Sequence, residues 1–320
     1  MIKHFTKLIG LLALLWGSQT QALQVTVSTP PLAGLIKPLL AEDDQLTVLL
    51  QAGASPHGFQ LKPSHLRNIQ NSDVIFSIGT PVDGWLNKTL SKIDKPVLKM
   101  SELSGLYTLP LRKGGLWKIS NQDSEHAHDD HNHKPAKWHY DGHIWLSPKN
   151  ARLFVEQAAE LIKQLDAVNA EQVELRKQAW LVKLIETEQQ LTQQLLPVKD
   201  RPFVVLHDAY QYFEQHFQLN GVGSIRLNPE IAPSLKRVQA LRESIKASQV
   251  SCIFKEPQFP EKRVLAVVRG LDIQIGSLDP MGSFSSAQDS VLAKEGYLAY
   301  DMLLKNIANA MSDCLAEKAK

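Results

Sequence analysis

The chain has 320 residues, 43% of them hydrophobic and 21% charged, which suits a soluble globular protein long enough for two cores. Lysine and arginine number 35 against 33 acidic residues, and removing the first 22 residues takes away Lys3 and Lys7 and leaves the two signs equal. No basic stripe is left, so nucleic acid is not an expected partner.

Residues 1–22 carry the three parts of an export signal: a positive start at Lys3, His4 and Lys7, an apolar run Leu8 to Trp16, and Thr20-Gln21-Ala22 as a cleavage site after Ala22. The apolar run is too short to span a bilayer, which takes ~20 residues, and no other segment is long and apolar enough. The mature protein is expected to be exported, soluble and without a membrane span of its own.

From Leu23 the pattern alternates. Gln24 to Thr29 reads as a strand, Pro31 to Ala41 as a helix, and Leu46 to Leu50 as a strand followed by the loop Gln51 to His57. Lys62 to Asn71 reads as a helix, Asp73 to Ile78 as a strand, and Pro81 to Ile93 as a helix. Such alternation predicts a parallel sheet covered by helices.

A histidine-rich stretch follows, with neither helical nor strand periodicity, and residues 121–139 are expected to form a loop. Between Asn121 and Trp145 lie six of the eleven histidines: His126, His128, His131, His133, His139 and His143. Imidazoles interleaved with carboxylates attract borderline divalent metals, so a metal is the working hypothesis. Ser147-Pro148 then caps and starts a helix whose apolar face is Ala151, Phe154, Val155, Ala158, Ile162 and Leu165.

The stretch from Asn169 to Leu196 is periodic and free of turn residues, with Val173, Trp180, Leu184, Leu191 and Leu195 on one side and Pro197 at its end. It reads as a rigid strut, over 167–197, between a lobe at 23–166 and a lobe at 198–320. The second lobe repeats the alternation: strands at Pro202 to Leu206, Gly221 to Leu227, Val250 to Phe254 and Ile273 to Leu278, with helices between them and a last helix from Tyr297 to Leu315. The fold class is therefore α/β, two parallel-sheet lobes joined by one long helix. Cys252 on a strand and Cys314 on the last helix are the only cysteines; in an exported chain they are expected to form a disulfide tacking that helix to the sheet.

In open α/β sheets ligands collect beyond the carboxyl ends of the strands. His57 follows the second strand, His207 and Asp279 directly end strands of the second lobe, and His143 precedes the Ser147 helix. Three neutral imidazoles with a carboxylate or water make a tetrahedral zinc site, whereas calcium and magnesium want oxygen and manganese fits less well. Glu256, which also follows a strand, and Asp141 and Asp208, which flank candidate ligands, could orient the imidazoles. His65 and His216 sit on helices away from strand ends and are read as structural or surface residues. Two other functions share this composition. One is an exported zinc hydrolase with Glu256 as general base; the other is a metal buffer whose main binder is the histidine-rich loop.

Gly53-Ala54-Ser55-Pro56-His57, Asp141-Gly142-His143-Ile144-Trp145-Leu146-Ser147-Pro148, His207-Asp208-Ala209-Tyr210, Glu256-Pro257-Gln258-Phe259 and Leu278-Asp279-Pro280 resemble motifs of the metal-specific solute-binding proteins of bacterial ABC importers, and of their zinc-uptake branch in particular. The resemblance covers essentially the whole mature chain. It implies a periplasmic monomer, not an enzyme, that holds one Zn2+ in the cleft between its lobes and hands it to an inner-membrane permease driven by an ATPase. It carries His57, His143 and His207 over as ligands and Asp279 as the fourth. A manganese-binding homologue is the alternative, but manganese relatives tend to have a carboxylate where this chain has His207. Two positions depart from some zinc relatives: Pro56 replaces a carboxylate before the first histidine, and Ser224 stands where a second-site histidine is found. A second site is then left to His126, His128, His131 and His133.

Overall fold

The computed structural model describes residues 22–112, 117, 139–226, 235–282 and 296–316. The expected signal up to Gln21, and His126, His128, His131 and His133 of the histidine-rich stretch, lie outside them.

The first lobe runs β1 (Gln24–Val27), α1 (Pro30–Ile36), β2 (Gln45–Val48), α2 (Pro63–Asn71), β3 (Val74–Ser77), α3 (Asn87–Leu90) and β4 (Val97–Lys99). Its sheet is parallel throughout, in the order β2-β1-β3-β4. The apolar run of β3 is buried on both faces, as a central parallel strand requires. Two expected helices are shorter than their patterns. The helix read to Ala41 stops at Ile36 and tightens into a 3-10 turn over Lys37–Leu39, because Pro38 brings no N–H to continue the ladder. The helix read from Pro81 to Ile93 is a 3-10 turn over Pro81–Leu86 and then α3, broken at Asp83 (φ −115°, ψ 28°). Asp83 leaves the helical path to accept the N–H groups of Ile78 and Gly79 at 2.7 and 2.9 Å, closing the end of β3. The strand β4 was not anticipated from sequence; three residues carry too little alternation to announce one.

α4 (Pro148–Leu165) starts on Ser147, whose hydroxyl accepts the N–H of Asn150, and buries Ala151, Phe154, Val155, Ala158 and Ile162 as expected, while Leu165, expected on the same face, ends the helix exposed. The strut α5 (Ala170–Leu195) has 26 residues, about 39 Å of helix, and buries Val173, Trp180, Leu184, Leu191 and Leu195. Near its start Arg176 and Trp180 donate to the carbonyls of Leu39 and Leu35 in the first lobe.

The second lobe runs β5 (Phe203–His207), α6 (Gln211–Phe217), β6 (Gly221–Arg226), α7 (Leu235–Ala247), β7 (Cys252–Lys255), α8 (Lys262–Val268), β8 (Gln274–Ser277) and α9 (Tyr300–Leu315). Its sheet is again parallel, in the order β6-β5-β7-β8. Cys252 on β7 and Cys314 on α9 form a disulfide, their Cα atoms 5.9 Å apart. Gly276 makes room for it: a Cβ there would lie 2.5 Å from the Phe254 ring and 3.1 Å from the Cys314 sulfur.

The lobes are joined by more than the strut. The last turns of α5 meet α9, where Gln194 donates to Asn309 at 2.8 Å, and α9 packs in turn on β8 and on α1. At Gly34 of α1 an added Cβ would lie 2.3 Å from the Leu298 carbonyl oxygen, so the two backbones touch directly. One apolar core therefore runs from Val25 and Val27 through Val173 and Leu184 to Val205, Phe254 and Ile307. No helix among the described residues is long and apolar enough to cross a membrane.

Candidate metal centre

The cleft sits where the carboxyl ends of both sheets face each other. His57 belongs to the loop after β2; its backbone N–H donates to Ser55 Oγ at 3.3 Å, and it is exposed at the mouth. His143 precedes a 3-10 turn over Ile144–Leu146 and is buried. Asp141 Oδ1 accepts its backbone N–H at 3.0 Å and lies 2.7 Å from its ring Nδ1. His207 is the last residue of β5, and the register that sets Val205 opposite Phe254 on β7 carries on to bring Glu256 beside it. Glu256 Oε1 lies 2.6 Å from His207 Nδ1, with both groups buried.

This pairing fixes the tautomers. A carboxylate beside Nδ1 accepts a hydrogen bond from the N–H there and, in the neutral ring, leaves the Nε2 lone pair directed away from it. The Nε2 atoms of His143 and His207 accordingly meet at 3.4 Å, and one ligand atom from each of His57, His143 and His207 lies within 4.8 Å of the others. The ring centroids of His57 stand 5.4 Å from those of His207 and 5.9 Å from those of His143. Three residues far apart in sequence thus converge on one point.

Charge is distributed unevenly over the three rings. Crowding by protein atoms from both lobes, and then the neighbouring His207 and His143, push the pKa of His57 down to about 3 although its edge reaches solvent. Burial opposes charge on His207 as well, but the Glu256 carboxylate against its Nδ1 outweighs it and raises the pKa above 6.5.

The other residues singled out from sequence are placed as follows. Asp279 is not part of the three-histidine group. Its Oδ1 accepts from Gln258 Nε2 at 2.6 Å and from the N–H of Met281 at 2.8 Å. Asp208 faces the Arg112 guanidinium rather than a ligand ring, with Arg112 Nε 3.1 Å from both carboxylate oxygens. Arg112 also donates to Glu214 at 2.5 Å, so this first-lobe side chain reaches across to two carboxylates of the second. His65 caps α2 by accepting the N–H of Lys62, and His216 pairs with Glu188 of the strut at 2.9 Å. His139 is exposed. Two supports were missed. Arg112 is one, and Tyr212 is the other: its hydroxyl accepts the N–H of Leu109 and donates to the Asp141 carbonyl behind His143. Their partners lie 71 to 103 residues away, and no local pattern announces them.

Fold and site together define a class: two-lobed binding proteins able to hold one small cation between their halves. Comparison with known proteins narrows it. Residues 25–313 match the model of the family described as ZnuA, zinc-uptake complex component A, periplasmic, and the chain belongs to that family. The High-affinity zinc uptake system protein ZnuA of Brucella suis biovar 1 (strain 1330) is 32% identical over 314 aligned positions, which cover 92% of each chain. The protein of that name from Haemophilus ducreyi is 32% identical and spans 98% of this chain and all of its own. A crystal structure of ZnuA shares the fold with a TM-score of 0.74 at 23% identity, over 92% of this chain and 100% of that one. The periplasmic zinc-binding protein TroA from Treponema pallidum does so with a TM-score of 0.73 at 21% identity, over 93% and 100%. Proteins of this family are solute-binding proteins and not enzymes.

Proposed function

We propose that this chain is the zinc-capturing component of an ABC importer, and that His57, His143 and His207 hold one Zn2+ as cargo between the lobes. The observation that carries the reading is the convergence of the three imidazoles. A tetrahedron with Zn–N bonds of ~2.0–2.1 Å has edges of about 3.3–3.4 Å, and the His143 and His207 Nε2 atoms stand 3.4 Å apart. Asp141 and Glu256 supply what a zinc-bound imidazole wants on its far nitrogen. The fourth ligand is a water, or Asp279 if it lets go of Gln258 and Met281.

The histidine set and the zinc-uptake relatives speak against manganese as cargo. Hydrolysis needs a carboxylate free to take a proton from metal-bound water, and Glu256 is buried with Oε1 committed to His207, which argues against that reading. The cargo's recipient is an inner-membrane permease with its ATPase. The mature chain begins after Ala22, works in the periplasm as a monomer, and divides into a lobe at 23–166, a strut at 167–197 and a lobe at 198–320. His126, His128, His131 and His133 form a weaker accessory site.

His207→Ala removes the ring that the second lobe contributes to the set. It is expected to abolish tight zinc binding in a competition titration with a chromophoric chelator, while the circular dichroism of the folded protein is retained. Wild-type affinity in that variant would overturn the assignment.

A further inference from the structure

The space beside the three imidazoles is small and its wall is built from both lobes. Among the described residues, the cavity next to His57, His143 and His207 measures about 10 Å3, the room that one water takes up. Its apolar part is Pro56 and Trp145 from the first lobe and Phe259, Pro280 and Met281 from the second; Ser55, Glu256 and Gln258 complete the lining. Pro56, Trp145 and Met281 are buried, and Phe259 is 9% exposed.

The wall is also stiff. Trp145 Nε1 donates across the cleft to the Pro280 carbonyl at 2.9 Å, and Tyr300 donates its hydroxyl proton to the Trp145 carbonyl at 2.5 Å. Met281 follows Pro280, and its own N–H is held by Asp279. The Trp145 ring lies 5.2 Å from His143, and the Phe259 ring 6.2 Å from His207, between centroids. Neither side chain offers an electron pair that a hard cation would take.

Resting on the reading of the three histidines as zinc ligands, we infer that this wall, with Met281 and Phe259 as its specificity-determining residues, limits the coordination number of the bound ion. Three imidazoles leave a tetrahedral ion one position to fill, and a cavity this small, which the ion itself must share, has no room for three further waters. An octahedral ion needs three more ligands, ordinarily waters, on the side where Trp145, Phe259 and Met281 stand. The selection against six-coordinate ions is made by the absence of room, in addition to the preference of imidazole for zinc. Excluding ligands by shape is a form of discrimination that attractive contacts alone do not supply.

Cobalt(II) reports the geometry directly, since it accepts four or six ligands and absorbs visible light intensely only in the tetrahedral state. The test compares the full mature chain with Met281→Ala, Phe259→Ala and the volume-conserving Met281→Leu. Wild type and Met281→Leu are expected to give the intense tetrahedral spectrum with Co2+. The two alanine variants are expected to lose most of that intensity and to narrow the ratio of Zn2+ to Mn2+ affinity by about tenfold or more, the scale of discrimination a small change in pocket size produces. If an alanine variant does not fold, the other still decides. Unchanged spectra and an unchanged ratio in a folded alanine variant would refute the filter while leaving zinc capture by the three histidines intact. A wild type that binds zinc tightly but shows six-coordinate cobalt refutes it equally. Failure of wild type to bind zinc at all would instead remove the reading on which the filter rests.

Discussion

The two lobes have the same sheet, four parallel strands in the order second, first, third, fourth, yet they hold their histidines in different ways. His57 hangs from a loop beyond an edge strand, exposed, with a 3.3 Å contact from its own backbone to Ser55. His207 ends a strand that has a neighbour on each side, and one of those neighbours, β7, delivers Glu256 to its Nδ1. Repeated topology therefore does not repeat the chemistry. A central strand places a ligand where an adjacent strand can brace it, and an edge strand leaves its ligand to the loop. The second lobe also carries the disulfide. It offers one buried and braced ring, whereas the first lobe brings two: His143, buried and braced by Asp141, and the exposed His57.

The most severe way to break this asymmetry is to remove the covalent tie in the second lobe. Cys314→Ser opens a link between residues 62 apart in sequence and is expected to cost roughly 4 kcal/mol by the chain-entropy account. Urea unfolding of the mature protein would show it as a lower midpoint, with a slope no smaller than wild type because the uncrosslinked chain unfolds to a more open state. Zinc affinity in the folded variant is expected to stay at the wild-type level, because β5 and β7 still pair and still set Glu256 beside His207. A midpoint identical to wild type would mean that the tie between β7 and α9 contributes nothing to holding this lobe.

A smaller change sharpens the contrast between the braced and unbraced rings. Glu256→Gln keeps shape and hydrogen-bonding capacity while removing the charge that orients His207. It is expected to weaken zinc binding about 10–100-fold, as loss of a partner behind a metal-bound imidazole commonly does. The interaction described for His57 is instead its backbone N–H on Ser55 Oγ, so Ser55→Ala, which removes that acceptor, is expected to change affinity far less. Equal effects from the two variants would erase the distinction between the half-sites.

Much of this arrangement could be read from the sequence, and the reasons are local. Strand patterns ending in His207 and Asp279, and a glycine-rich turn leading to His57, announce residues at the carboxyl edge of a sheet. The spacing of Val173, Trp180, Leu184, Leu191 and Leu195 announces the strut, and two cysteines in an exported chain announce their bond. What escaped depends on partners distant in sequence. From its place beside His207, Asp208 reads as a support for a ligand, but Arg112, 96 residues earlier, claims it. Asp279 lies at the expected strand end, yet Gln258 and the N–H of Met281 take its Oδ1. The α1 pattern continued past Pro38 because apolar periodicity says nothing of the missing N–H.

The most modest effect separates the two rings by acidity. Zinc binds neutral imidazole, so a proton on a ligand competes with it. His207, raised above its ordinary 6.5 by Glu256, keeps its proton into the range where a free imidazole has lost it. His57, pushed down to about 3, holds none there. Apparent zinc affinity is therefore expected to begin falling above pH 6.5 as pH is lowered, by about tenfold per pH unit for one displaced proton. The stability of the metal-free protein should carry the opposite signs of the two shifts. The His207–Glu256 pair contributes fully below 6.5, and its contribution is lost as pH rises through the raised pKa. For His57 the unfolded chain takes up a proton below 6.5 and the folded chain does not until about 3, so stability declines as pH drops through that window. Urea unfolding of the metal-free protein from pH 4 to 9 should show both limbs, and Glu256→Gln should flatten only the upper one. The same variant should move the onset of proton competition with zinc to lower pH. If the upper limb and the onset are unchanged, the competing proton does not reside on His207.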